Sequence, residues 1–110
     1  MAITLVESGY NISSGTVASV SVTLAAQAEV GDVIVAIGLA ASRVLTDVAM
    51  SGGGGTYTLQ SNLEHTSELR EIYLWTTVVA EEATTFTWST QSTSTLRRLV
   101  IYRLTGVDTT

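Results

Sequence analysis

Apolar and polar residues alternate with a period of two along most of this chain, which is the pattern of half-buried β-strands. It is clearest over residues 16–24, where Ala18, Val20, Val22 and Leu24 fall on one face and Ser19, Ser21 and Thr23 on the other. Residues 85–90 repeat it, with Phe86 and Trp88 inward and Thr85, Thr87 and Ser89 outward. The same reading predicts strands at 3–7, 33–40, 44–50, 56–62, 70–79 and 96–105. Between them it places turns or loops at 9–15, 51–55, 65–68, 80–84 and 91–95, and one helical turn at 25–29. No stretch shows a sustained helical period. About eight short strands at near-even spacing define an all-β chain, an antiparallel two-sheet β-sandwich of jelly-roll or immunoglobulin-like type, in a single domain spanning 1–110.

Three of these strands break the alternation. In 33–40, Val33, Val35, Ile37 and Leu39 lie on one side, and Ile34, Ala36 and Gly38 on the other. In 70–79, Ile72, Leu74 and Val78 oppose Tyr73, Trp75 and Val79. In 96–105, Val100, Tyr102 and Leu104 oppose Leu99 and Ile101, which share their side with Arg97 and Arg103. A sandwich sheet has one dry face and one wet face. A second apolar face therefore has to be covered, by the chain's own loops and N-terminal segment or by another subunit. The second option gives a candidate interface of Ile34, Ile72, Leu74, Leu99 and Ile101. The chain has no Pro, a residue that often blunts exposed edges. Its edge strands are expected to be short, twisted or paired with another chain.

Composition narrows the function. The net charge is −5, there is no Lys, and the five Arg form no long basic run. Nucleic acid is a poor partner for such a chain, because phosphate neutralisation needs clustered cations. Charged residues make up only 14% of the sequence, while roughly a quarter of it is Ser or Thr. Solubility then rests on hydroxyls, or part of the surface is covered. With no Cys there is no disulfide framework and no thiolate metal site. Neither a signal peptide nor a membrane-length apolar run is legible.

The candidate sites are few. The run Gly52, Gly53, Gly54, Gly55 lacks the Lys and the following helix of a phosphate loop, and reads as a flexible hairpin loop able to order on a partner. His65, the one histidine, has Glu64 and Glu68 nearby, but a zinc site takes three or four ligands, mostly His or Cys. It reads as an exposed loop residue. No nucleophile elbow surrounds any Ser, and adjacent Glu81 and Glu82 diverge in a solvated turn. Asp32 and Asp108 read as turn caps. Tyr73, Trp75, Phe86, Trp88 and Tyr102 read first as core, with a subunit interface or a sugar-stacking platform as alternatives. The inventory indicates no enzyme, no cofactor and no metal.

A further pattern emerges once the strands are placed. Gly31-Asp32 leads into Val33-Ile34-Val35-Ala36-Ile37, a Gly-rich turn precedes Tyr57-Thr58-Leu59, and Ile72-Tyr73-Leu74-Trp75 runs into the acidic turn Ala80-Glu81-Glu82. Phe86-Thr87-Trp88-Ser89 follows, and Ile101-Tyr102-Arg103-Leu104-Thr105 closes on Gly106-Val107-Asp108. This resembles the small β-sandwich modules of tailed-phage virion structural proteins, over most of residues 31–108. The resemblance implies a non-enzymatic virion component, often oligomeric, and carries over no functional residue. A hydroxyl-rich sandwich without an export signal also fits a protein made in the host cytoplasm and released by lysis. A chain ending at Thr110 suggests a capsid decoration or cement protein more than a multi-module fibre. The expected partners are further copies of itself, a trimer being favoured, and the major capsid protein or other virion proteins. Residues 1–11 or the Gly52–Gly55 loop would touch the capsid. The alternative is a carbohydrate-binding or adhesion module of a tail fibre.

Overall fold

The computed structural model describes residues 2–13, 17–41, 49–65, 70–94 and 96–108. They form eight strands: β1 (Thr4–Ser13), β2 (Val17–Ala28), β3 (Val33–Ala41), β4 (Ala49–Ser51), β5 (Thr58–His65), β6 (Arg70–Val78), β7 (Ala83–Ser94) and β8 (Leu96–Thr105). All pair antiparallel, in a five-stranded sheet of order β1-β8-β3-β6-β5 and a three-stranded sheet of order β2-β7-β4. This is the expected all-β two-sheet sandwich. Its extents are 44 × 23 × 19 Å.

The pairings β1 with β8, β2 with β7 and β3 with β6 are nested, as in a long hairpin rolled into two layers. The next nested pair, β4 with β5, does not form. The short β4 borders β7, and β5 instead extends the larger sheet beyond β6. Odd-numbered strands end, and even-numbered strands begin, at what we call the distal end. The opposite turn end holds Gly31-Asp32, Gly52–Gly55, Ala80–Glu82 and Gly106.

The core lies between the layers. β2 contributes Val20, Val22 and Leu24, β7 contributes Phe86 and Trp88, and the large sheet answers with Ile34, Ala36, Tyr73, Trp75, Leu99 and Ile101. Tyr73 stacks on Trp75 with centroids 5.2 Å apart, and Trp88 meets Trp75 edge-on at 5.7 Å. The small inward residues of β3 accommodate these rings. A Cβ on Gly38 would lie 2.9 Å from Trp88 and 3.0 Å from Trp75.

Three expectations need correction. Residues 9–13 form the second half of β1 and not a turn, since Gly9 to Asn11 pair with Leu99 to Ile101. Gly9 is needed there because a Cβ would press on Val22 at 3.0 Å. Residues 25–28 continue β2 and form no helical turn. There Glu7 accepts hydrogen bonds from the amides of Ala25 and Ala26 at 2.5 and 3.3 Å. Residues 91–94 prolong β7 instead of forming a loop. The expected strand at 44–50 and the loop at 65–68 lie largely outside the described residues.

Candidate functional site

The site is the outer face of the five-stranded sheet, and strand pairing fixes its layout. Directly opposed residues point to the same side. One row across the sheet runs Ile12, Arg98, Leu39, Ile72, Leu63, from β1 through β8, β3 and β6 to β5. The next runs Tyr10, Val100, Ile37, Leu74, Ser61, and a third Ser8, Tyr102, Val35, Thr76, Thr58. A fourth joins Leu5, Leu104, Val33 and Val78. None of the eight strands lies across this face. Exposure reaches 43% at Ile72, 42% at Val78, 65% at Leu63 and 63% at Tyr10. The outward residues of the central strands β3 and β8 are half-buried, apart from exposed Arg98.

Charge is sparse among the described residues of the face. Among the described residues it carries Arg98 and, one step further toward the distal end, Arg70. The Arg98 guanidinium lies 5.0 Å from the centre of the Tyr10 ring, a cation–π contact that spreads its charge over an aromatic surface. Around it opens a groove of about 540 Å³, floored by Ile12, Leu39 and Ile72 and edged by Arg70, Glu71 and Arg98.

The opposite face of the molecule is the reverse in character. On the three-stranded sheet, Ser19 opposes Ser89, Ser21 opposes Thr87, and Thr23 opposes Thr85. The Ser21 and Thr87 hydroxyls are hydrogen-bonded at 2.8 Å, and those of Thr23 and Thr85 at 3.1 Å. One broad face is therefore apolar and the other is tiled with hydroxyls.

Of the candidate interface residues, Ile72 and Leu74 lie on the outer face. Ile34, Leu99 and Ile101 do not: all three are fully buried in the core. Two buried arginines reversed the expected sides. Arg97 and Arg103 share a side with Leu99 and Ile101, and a charged pair normally marks the wet side. Here both point inward. Arg97 lies 4.2 Å over the Trp88 ring and donates to the Trp88 carbonyl at 3.2 Å. Arg103 pairs with buried Asp32 at 2.7 Å. Val33, Val35, Ile37, Leu39, Val100 and Leu104, with Tyr10, Ile12, Leu63 and Val78, also lie on the outer face, beyond the five residues expected from the sequence. The available signal was size. Gly38 faces Trp75 and Trp88, Ala36 pairs with Trp75, and these small residues with Ala40 mark the buried side of β3.

The remaining candidates hold the scaffold together. Burial pushes the Asp32 pKa up, but the Glu29 amide, the Arg103 guanidinium and the Thr105 hydroxyl outweigh it, so the group titrates below its ordinary range. Burial, and then the adjacent Glu71 carboxylate to which its hydroxyl donates, raise the Tyr73 pKa. Burial lowers that of Arg97. The Gly52–Gly55 run is a tied turn and not a flexible loop. Its Gly53 carbonyl accepts from the Ala80 and Glu81 amides at 2.7 and 2.8 Å, and Tyr57 donates to Gly52 at 3.0 Å. A Cβ on Gly55 would strike the Val78 carbonyl at 2.1 Å. Tyr73, Trp75, Phe86 and Trp88 are core, so they form no exposed platform, and Tyr102 lies on the outer face. Glu64 lies opposite Glu71, while the His65 side chain and Glu68 lie outside the described residues.

No protein family, no curated protein and no solved structure matches the chain.

Proposed function

We propose that this protein is a self-associating structural component of a virion, of the capsid-decoration type, and that the outer face of its five-stranded sheet is the subunit–subunit contact. One observation carries the reading: a single sandwich presents an apolar face on one layer and a hydroxyl-tiled face on the other. The largest contiguous apolar patch on a protein surface, typically roughly 300–600 Å², is often a functional contact. Five strands about 4.8 Å apart, crossed by four rows about 6.8 Å apart, make a face of roughly 650 Å². The strand pairing also supports the reading, since it keeps three of the four nested pairs of a jelly roll, an architecture that viral capsid domains share with lectins and cupins.

The mechanism is mechanical. A rigid sandwich with a closely packed core deforms little. Covering the apolar face drives association, and the hydroxyl face keeps the outside hydrated without charge. Each copy adds a modest contact energy, and many copies together resist outward pressure on a shell.

The experiment is co-sedimentation of the purified protein with capsids of the virus whose genome encodes it. Saturable binding at a fixed ratio to the major coat protein is expected, with particles more resistant to heating. A folded protein that leaves such particles unbound contradicts the reading.

A further inference from the structure

We infer that the outer face of the five-stranded sheet is covered by the same face of a second copy of this chain, related by a two-fold axis that runs between the sheets and across the strands. The inference rests on the reading above for its setting, and on three separate features for the partner.

The first is area. A face of roughly 650 Å² per copy gives about 1,300 Å² for the pair, within the range of specific protein interfaces and above most incidental contacts. The second is self-complementarity. The face is a single broad patch, which suits an isologous contact. A trimer would need two different patches that fit each other. The third is charge. The charged groups on the face, Arg70 and Arg98, lie at the distal end. The exposed carboxylates of Glu81 and Glu82 sit at the turn end, just beyond β6. Stacking two copies with strands antiparallel about this axis lays each strand over its own counterpart, so Arg70 at the start of β6 meets the partner's β6–β7 turn with Glu81 and Glu82, twice by symmetry. Stacking them in the same sense would set arginine over arginine. The antiparallel pair thus combines a dry centre with matched charges at both rims. It also leaves only hydroxyl-covered sheets facing outward, which accounts for a chain that stays hydrated with so few charged residues.

Sedimentation equilibrium of the purified chain tests this. The expected species has twice the 11.6 kDa chain mass. Ile37→Glu, at the centre of the face, is expected to weaken pairing on the order of 100-fold with the far-ultraviolet circular dichroism unchanged. Should that variant not fold, Leu74→Gln serves, with a smaller loss in the same direction. Arg70→Glu, at the start of β6, is expected to weaken pairing on the order of tenfold, and adding Glu81→Arg and Glu82→Arg to restore it. A wild-type chain that stays monomeric at every concentration, or forms a trimer, overturns the inference, as does a folded Ile37→Glu chain that pairs normally. Failure of the charge reversal to rescue Arg70→Glu overturns the antiparallel arrangement. A chain that is monomeric alone but binds virus particles removes the pair and leaves the virion role standing. A chain that pairs but ignores particles does the reverse.

Discussion

Asp32 and Arg103 show how single residues set the geometry of this fold. Asp32 ties the β2–β3 turn to β8: its carboxylate accepts from the Glu29 amide at 2.9 Å and from Arg103 Nε at 2.7 Å. Removing one partner of a buried pair leaves the other charge uncompensated. Asp32→Asn is therefore expected to cost about 3 kcal/mol in urea unfolding at neutral pH. The Asp32 pKa is lowered on folding from 3.8, so its contribution is present above that value and is lost as pH falls through the folded-state pKa. The gap between wild type and Asp32→Asn should narrow in acid, and a gap that stays constant would contradict this account. Gly38 makes the opposite point, through an absent side chain. Wedging a methyl between Trp75 and Trp88, Gly38→Ala should destabilise by about 1–3 kcal/mol and alter the near-ultraviolet tryptophan signal. The sequence could not show that Arg97 and Arg103 are inside: Asp32 lies 71 residues from Arg103, and Trp88, though only nine residues from Arg97, lies on the other sheet, so each pair meets only after folding.

At the scale of elements, legibility follows local pattern. β2 and β7 were readable because their hydroxyls and apolar residues alternate without exception between Ser19 and Leu24 and between Thr85 and Ser89. β3, β6 and β8 were readable as strands from their β-branched and aromatic content, but which side faced in was not, since both sides are apolar. β1 was cut short in the reading because Gly9 and Asn11 are turn-forming types. In the structure Gly9 permits close approach to β2, and the Asn11 side chain donates to the Ser21 carbonyl at 2.9 Å, clamping the two layers. The two outer faces should respond differently to substitution. On the hydroxyl face, Thr87→Val removes one partner of a half-buried hydroxyl pair, so a loss of about 1 kcal/mol or less is expected in unfolding free energy. The tied glycine turn should be far less tolerant. Gly52 has φ +117° and a Cβ there would lie 2.6 Å from the Thr85 carbonyl, so Gly52→Ala should lower thermal stability well beyond Thr87→Val. Equal sensitivity at the two positions, measured by thermal unfolding, would count against this account.

Across the whole molecule, one layer differs from the other in its relation to water. The two-faced strands predicted that something must cover a second apolar surface, and the structure locates that surface on the large sheet. It also removes Ile34, Leu99 and Ile101 from it and brings in the row centred on Ile37 and Val100. The central claim is that this face is covered in the assembled state while the hydroxyl face stays wet. The chain has no Cys, so single cysteines can report on each face without interference. Ile72 is 43% exposed in the lone chain and sits on the apolar face, while Thr85 is exposed on the other. Maleimide labelling of Ile72→Cys and Thr85→Cys in the native assembly is the most direct measurement. Slow labelling at position 72, rising to the rate at position 85 once Ile37→Glu is added, is the predicted result. Equally fast labelling of the two native proteins would contradict the claim.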